Sequence, residues 1–160
     1  MMAYLAAMLL LAIANGAPIL ARSLLGDRLA SPMDGGLCFI DGRPLLGSAK
    51  TVRGVVVSVL ATTTAATGLG LDWSLGVLVA TAAMLGDLGS SFVKRRLDCP
   101  PSSRVPVLDQ LPEALLPLVV LRQPLALEWW EVAGLAGVFF LFDVLLSPLL
   151  YWLRIRRRPY

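Results

Sequence analysis

The chain has 160 residues, of which 57% are hydrophobic and 16% are charged, and its formal net charge is +3 at pH 7. Soluble domains average about 45–50% apolar and about 25% charged residues, so this composition excludes an ordinary soluble domain and predicts an all-α integral membrane protein. The sequence contains no histidine, and its two cysteines fall in separate loops. The common zinc sites built from histidine and cysteine are therefore excluded.

Five nearly uncharged runs follow one another along the chain, at residues 1–21, 54–71, 73–93, 105–121 and 132–153. A helix needs about 20 residues to cross the hydrocarbon core, so each run predicts a transmembrane helix, although the fourth is short and rich in proline. The first run has no basic segment before it, so we expect a membrane span and not a cleaved signal peptide. Five spans predict a single integral-membrane domain over residues 1–160.

The cations predict the orientation of these spans. All lysines and arginines except Arg122 fall in the first loop (22–53), in the third loop (94–104) or in the tail, where they are Arg154, Arg156, Arg157 and Arg158. Five spans place these three segments on one side, which the positive-inside rule makes cytoplasmic. We therefore predict an outside N-terminus and a cytoplasmic C-terminus, read the tail as a topology signal, and expect no disulfide between the two loop cysteines.

The first loop is a candidate phosphate-binding segment. It has over thirty residues and is rich in glycine, and loops of this length are often functional. Lys50 and Thr51 come at the start of the second predicted helix, where free backbone amides and the helix dipole favour anions. The stretch "GSAKT" is not a P-loop, because the GxxxxGK[ST] spacing is missing. Alone it is a weak signal.

Two carboxylates are predicted to share a depth in the membrane. A charge at the bilayer centre costs about 2.5–3.5 kcal/mol on insertion scales, so Asp87 inside an apolar run needs a reason. Asp87 precedes Lys94 by seven residues, which is about 10 Å along a helix axis. Asp109 comes near the beginning of the next span, and antiparallel neighbours joined by a short loop bring both carboxylates to similar depth.

These two acids predict a Mg²⁺ site, because Mg²⁺ is typically held by one or two carboxylates plus substrate phosphates. The alternative is that each acid pairs with an arginine or a helix end. Asp143 is a third acid in an apolar run, which either lines the pocket or bonds a neighbouring helix. Asn15 either contacts substrate or joins helices. Glu113 lies one turn beyond Asp109 and is left out of the core site.

The motifs together resemble a known family. "GDLGSSFVKRRLDCPPSSRVPVLDQLPE" is similar to the signature of the membrane-bound CTP:phosphatidate cytidylyltransferase superfamily, and "GSAKTVRG" resembles its upstream Lys-Thr element. The closest resemblance is to the short archaeal branch, the CDP-archaeol synthases, through "ANGAP", "DGR", "GSAKTVRG" and "LDQ". Bacterial enzymes carry Ser-Pro before the Lys-Thr pair and an arginine where this chain has Gln110. These departures favour the archaeal branch.

The resemblance implies Mg²⁺-dependent transfer of CMP from CTP to an isoprenoid ether-lipid phosphate at the cytoplasmic face of the cell membrane, with pyrophosphate released. Orientation and charge neutralisation are what such a transfer requires. Predicted metal ligands are Asp87 and Asp109; predicted catalytic contacts to the triphosphate are Lys94, Arg95 and Lys50; predicted substrate contacts are Thr51, Ser91, Asn15, Asp41, Arg43 and Arg53. The expected partners are CTP, the isoprenoid glycerol-phosphate lipid and the bilayer, and no nucleic acid is expected. Whether the chain forms a homodimer is not decided by the sequence.

Two alternatives remain at this point. The first alternative, within the family, is that the acceptor is phosphatidate or another lipid phosphate. No sequence feature indicates which lipid tails are bound. The second alternative, outside the family, is that the chain is a small transporter or a non-enzymatic membrane subunit. A transporter would more naturally show paired internal repeats with matching broken helices, and no convincing repeat is found.

Overall fold

The computed structural model describes residues 1–100, 103 and 105–152. It contains five helices: α1 (Met2–Leu25), α2 (Val52–Gly68), α3 (Trp73–Arg96), α4 (Pro106–Arg122) and α5 (Trp129–Trp152). All five predicted helical runs are thus confirmed as helices, and the described residues contain isolated β-bridges but no strand. Arg104 and the tail cations lie outside the described residues, so the topology signal read from the tail stays a prediction.

Three of these helices are long and apolar enough to cross a membrane: α1, α3 and the part of α5 from Trp129 to Leu146. The helix α2 is apolar but has only 17 residues, and α4 also has 17. The protein is therefore an all-helical membrane protein, while the number of spans and their orientation stay predictions.

Small residues hold the first three helices close together. Ser58 Oγ on α2 donates to the Ala14 carbonyl of α1 at 2.7 Å, and both residues are fully buried. Gly76 on α3 lies against the backbone of Thr63, which leaves no room for a Cβ. Helices in membranes approach each other in this way, through small side chains and interhelical hydrogen bonds.

The two ends of the helix bundle differ in chemistry. The basic end, where α2 begins and α3 ends, carries Lys50, Arg53 and the Lys94–Arg96 run. The aromatic end, where α3 and α5 begin, carries Trp73 and Trp129. The side chain of Tyr4 donates to the Glu131 carboxylate at this aromatic end and so joins the first turns of α1 and α5.

The loop between α1 and α2 is organised around one buried carboxylate. The Asp34 side chain is 7% exposed and accepts hydrogen bonds from the amides of Gly36, Leu46 and Gly47 at 3.0, 2.8 and 2.9 Å. Burial acts to raise the pKa of Asp34, but these three amides outweigh it and lower the pKa below its ordinary value of 3.8. Gly47 has a φ of +89°, which only glycine adopts readily, and its carbonyl accepts from the Lys50 amide at 3.2 Å.

A clamp of four side chains, Phe39, Asp41, Phe92 and Arg96, fastens this loop to the end of α3. The Arg96 guanidinium lies 4.9 Å from the ring centroids of both Phe39 and Phe92. Its Nε is 3.2 Å from Asp41 Oδ2. Aromatic faces and a carboxylate around one guanidinium make the contact specific to arginine.

Candidate active site

A cavity of about 540 Å³ opens at the basic end of the bundle. Every helix and the segment before α2 contribute to its wall. Of the eleven predicted site residues, those that line it are Asn15, Lys50, Thr51, Arg53, Asp87, Lys94 and Asp109. The antiparallel arrangement of α3 and α4 therefore brings Asp87 and Asp109 to one cavity.

Asp87 is held by two polar neighbours from other segments. Lys50 Nζ, on the loop before α2, forms an ion pair with Asp87 Oδ1. The carboxyl group of Glu113 on α4 hydrogen-bonds to that of Asp87. Burial acts to lower the pKa of Lys50, but the charges of Asp87, Glu113 and Asp109 raise it above its ordinary value. Lys50 is thus a cation at neutral pH, facing a group of acidic side chains.

Asp109 forms a second ion pair in the same cavity. Its Oδ1 lies 2.6 Å from Lys94 Nζ, and Lys94 also donates to the Ser103 carbonyl at 3.0 Å. Asp109 Oδ2 accepts from the Val105 amide at 2.9 Å and so caps the start of α4. One alternative to a metal site was that each carboxylate binds a helix end. Asp109 Oδ2 does this at the start of α4. Oδ1 is buried and makes no hydrogen bond of acceptable geometry.

This donor set fits a hard divalent cation that is bound jointly with a substrate. The described residues contain no group of three or more acidic or cysteine side chains placed to hold a metal alone. The cavity instead offers Asp87 and Asp109, whose oxygens are the ligand type that Mg²⁺ prefers, and Mg²⁺ commonly completes its shell with waters and phosphate oxygens. The buried Asp109 Oδ1, which has the Lys94 ion pair but no hydrogen bond, is the oxygen with capacity for a further ligand.

The other lining residues that were predicted also serve the fold. Thr51 is the N-cap of α2, where its Oγ1 accepts from the Gly54 amide at 3.2 Å. Arg53 is 8% exposed and donates to the carbonyls of Gly26 and Arg28, which ties the end of α1 to α2. Asn15 Nδ2 donates to the Leu11 carbonyl of its own helix at 3.1 Å. Each of them still faces the cavity.

Four predicted site residues are not among those that line the cavity: Ser91, Arg95, Asp41 and Arg43. Ser91 and Arg95 are buried, and Arg95 donates to the Pro100 carbonyl at 3.1 Å. Arg43 donates to the carbonyl of Arg96 and pairs with Asp98 at 2.8 Å. In this arrangement Asp41 and Arg43 hold the first loop against α3.

Glu113 was not predicted as a core site residue, and the role of Asp143 was open from the sequence. Glu113 lines the cavity in contact with Asp87, and its spacing of four residues from Asp109, which puts both on one helix face, was the available signal. Asp143 lines the cavity and also accepts from Gln110 Nε2 at 2.5 Å. Both roles proposed for Asp143, in the pocket and between helices, are therefore fulfilled together.

Fold and site together define a helical membrane protein with a charged cavity suited to a phosphate-bearing substrate. Comparison with known proteins gives the family. The profile "CarS-like: CDP-archaeol synthase" matches residues 67–160. The chain belongs to the CDP-archaeol synthase family and is an enzyme, a CTP-dependent nucleotidyltransferase of archaeal membrane lipid biosynthesis.

Curated relatives and a solved structure agree with this assignment. The chain is 32% identical to the CDP-archaeol synthase of Saccharolobus islandicus (strain Y.N.15.51 / Yellowstone #2), over 92% of this chain and 89% of that one. It is 41% identical to that of Pyrobaculum calidifontis, over 68% and 67% of the two chains. A solved structure of an intramembrane enzyme for archaeal membrane lipids biosynthesis superimposes with a TM-score of 0.69 at 28% identity, covering 85% of this chain and 89% of the other.

Proposed function

We propose that this enzyme transfers CMP from CTP to 2,3-bis-O-geranylgeranylglycerol 1-phosphate, giving CDP-archaeol and pyrophosphate, with Mg²⁺ as the cofactor. Family membership supports the reaction type. The observation that carries the proposal is one cavity in which Asp87 and Asp109, from adjacent helices, each face a lysine. That arrangement suits a triphosphate bound together with a divalent cation.

The reaction needs no general base from the protein. An oxygen of the lipid phosphate attacks the α-phosphorus of CTP in line, a new P–O–P linkage forms, and the bond from the α-phosphorus to the bridging oxygen breaks. Pyrophosphate leaves with that bonding pair. Since the second pKa of a phosphomonoester is near 6, the attacking group is already largely dianionic at neutral pH. The reaction can therefore proceed in an enzyme that has no histidine to act as a general base.

The side chains of the cavity orient the reactants and neutralise charge. Asp87 and Asp109 would hold Mg²⁺, which when bound polarises phosphate oxygens and offsets the charge on the leaving pyrophosphate. Lys50 and Lys94 supply the positive charges that face the triphosphate, and their ion pairs fix their ammonium groups at the cavity wall. Glu113 completes the acidic cluster beside Asp87.

The membrane arrangement we propose has all five helices crossing the bilayer, with the basic end cytoplasmic and the aromatic end outside. A helix of 17 residues rises about 25 Å, so α2 and α4 reach across most of a hydrocarbon core of about 30 Å. The lysines and arginines of the basic end follow the positive-inside rule, and Trp73, Trp129 and Trp130 are typical of a membrane interface. CTP then reaches the cavity from the cytoplasm.

The test is product formation by the purified protein. Incubation with CTP, Mg²⁺ and the geranylgeranyl ether phosphate should release pyrophosphate and give a CDP-lipid identified by mass, and chelation by EDTA should stop both. A parallel reaction with diacyl phosphatidate distinguishes the two acceptor classes. Preference for phosphatidate would refute the proposed ether-lipid acceptor. Absence of product with every lipid phosphate would refute the proposed transfer of CMP.

A further inference from the structure

The cavity has apolar lining residues as well as charged ones. Its apolar wall consists of the residues that α1 and α5 contribute beside Asn15, Arg22 and Asp143: Ala12, Gly16, Pro18, Ile19, Phe139, Phe142 and Leu146. The ion pairs of α3 with Lys50 and α4, together with these apolar side chains, make the cavity amphiphilic. The same wall is open, because Phe142 lines the cavity and yet is 45% exposed.

The contacts identified between α1 and α5 lie toward the aromatic end. Tyr4 and Glu131 join their first turns, and the buried core shared by these helices includes Leu10, Leu11 and Phe139. Further along, Ala14 packs with Ala83 and Met84 of α3, in a buried cluster to which no described residue of α5 belongs.

The two helices run in the same direction, so depths along them can be compared. Gly16 lies twelve residues after Tyr4, and Asp143 lies twelve residues after Glu131, each about 18 Å along a helix axis. Gly16 and Asp143 are therefore level, and both line the cavity. A Cβ added at Gly16 would meet no atom within 4 Å, so the space beside it is empty.

We propose that the hydrocarbon chains of the lipid phosphate acceptor lie in this opening between α1 and α5, passing over Gly16 and against Phe142. This inference rests on the proposed function and names the part of the site that holds the tails. An amphiphile with an anionic head matches this lining: its phosphate would lie beside the α-phosphate of CTP at the charged residues while its chains leave toward the lipid phase. Gly16 keeps the passage wide enough for them.

The test fills the passage and leaves the charged residues unchanged. Gly16→Leu places a side chain in the empty space, and Gly137→Leu on α5 is the matched control, because its added Cβ also meets no atom within 4 Å but it is exposed and does not line the cavity. We expect Gly16→Leu to raise the KM for a long-chain lipid phosphate by about tenfold or more, with the KM for CTP unchanged. Gly137→Leu should match the wild type in both.

A short-chain acceptor separates blocked tails from a damaged site. For a water-soluble glycerol phosphate with short alkyl chains, the KM of Gly16→Leu should equal that of the wild type. An unchanged long-chain KM in Gly16→Leu would overturn the inference while the wild type still makes product, and equal loss with both acceptors would overturn it as well. Absence of product from the wild type would instead refute the proposed function.

Discussion

Gly86 on α3 lies directly against the backbone of Pro112 on α4: a Cβ at Gly86 would be 2.4 Å from the Pro112 carbonyl oxygen. The same Cβ would be 2.8 Å from the amide nitrogen of Glu113. Real Cβ atoms do not come so close to backbone atoms, so the two helices touch here through their main chains. This contact places Asp87, the next residue on α3, beside Glu113.

Gly86→Ala should therefore separate α3 from α4 and pull Asp87 away from its partners. A misplacement of about 1 Å at reacting groups can cost about a hundredfold in rate, and we expect a loss of that order in CDP-lipid formation. Gly89→Ala is the control, because an added Cβ there meets no atom within 4 Å. Comparable activity of the two variants would contradict the role of this contact.

The pair between Lys94 and Asp109 should show its effect in stability as well as activity. Lys94→Met leaves a largely buried carboxylate without its cation, which typically costs about 3–5 kcal/mol. Adding Asp109→Asn removes that charge while keeping an acceptor for the Val105 amide, so the double variant should recover most of the stability. Thermal unfolding in detergent measures this, and activity should stay low in both. A double variant as unstable as Lys94→Met would show that the charge is not the cause.

Asp34 gives the first loop a defined pH dependence. Its folded pKa is lowered below 3.8, so its stabilising contribution is fully present above that value and is lost as the pH falls through the lower folded pKa. Hydrogen exchange at the amides of Leu46 and Gly47 should be slower in the wild type than in Asp34→Asn at neutral pH. The two proteins should converge in strong acid. Equal protection at neutral pH would exclude this role.

Arg96 should be irreplaceable by lysine in the clamp that it forms with Phe39, Asp41 and Phe92. Lysine keeps the charge but not the planar group between two rings, at a cost of about 0.5–2 kcal/mol. We expect Arg96→Lys to speed limited proteolysis within residues 37–45. Arg28→Lys, at an exposed position, is the control and should be cut at the wild-type rate; a wild-type rate for Arg96→Lys would argue against the clamp.

The helices and the central carboxylates could be predicted from the sequence because both follow from one-dimensional patterns. Apolar runs marked the five helices, and the spacing of Asp87 and Asp109 around a short loop predicted their shared cavity. Lys94 and Arg95 differ in the direction they face: at about 100° per residue, Lys94 lies some 20° from Asp87 around α3, whereas Arg95 lies about 80° away. Reading the signature residue by residue could not separate the two.

Long-range contacts were beyond the sequence patterns. Nothing local marks Asp34 as the acceptor for amides twelve and thirteen residues away, and the partners of Asp41 and Arg43 come from the end of α3. Glu113 was recognised on the face of Asp109 and left out of the core site because the family signature has no counterpart for it. Its contact with Asp87 depends on how closely α3 and α4 approach at Gly86.

The most direct test is the effect of Asp87→Asn on CDP-lipid formation from CTP, Mg²⁺ and a lipid phosphate by the purified enzyme. The substitution keeps the size of the side chain and removes the charge that would hold the cation. We expect turnover to fall below about a tenth of the wild-type rate, which corresponds to at least about 1.4 kcal/mol of lost transition-state stabilisation, with folding and membrane insertion intact. A variant that folds normally and keeps more activity than that would contradict the metal-binding role of Asp87.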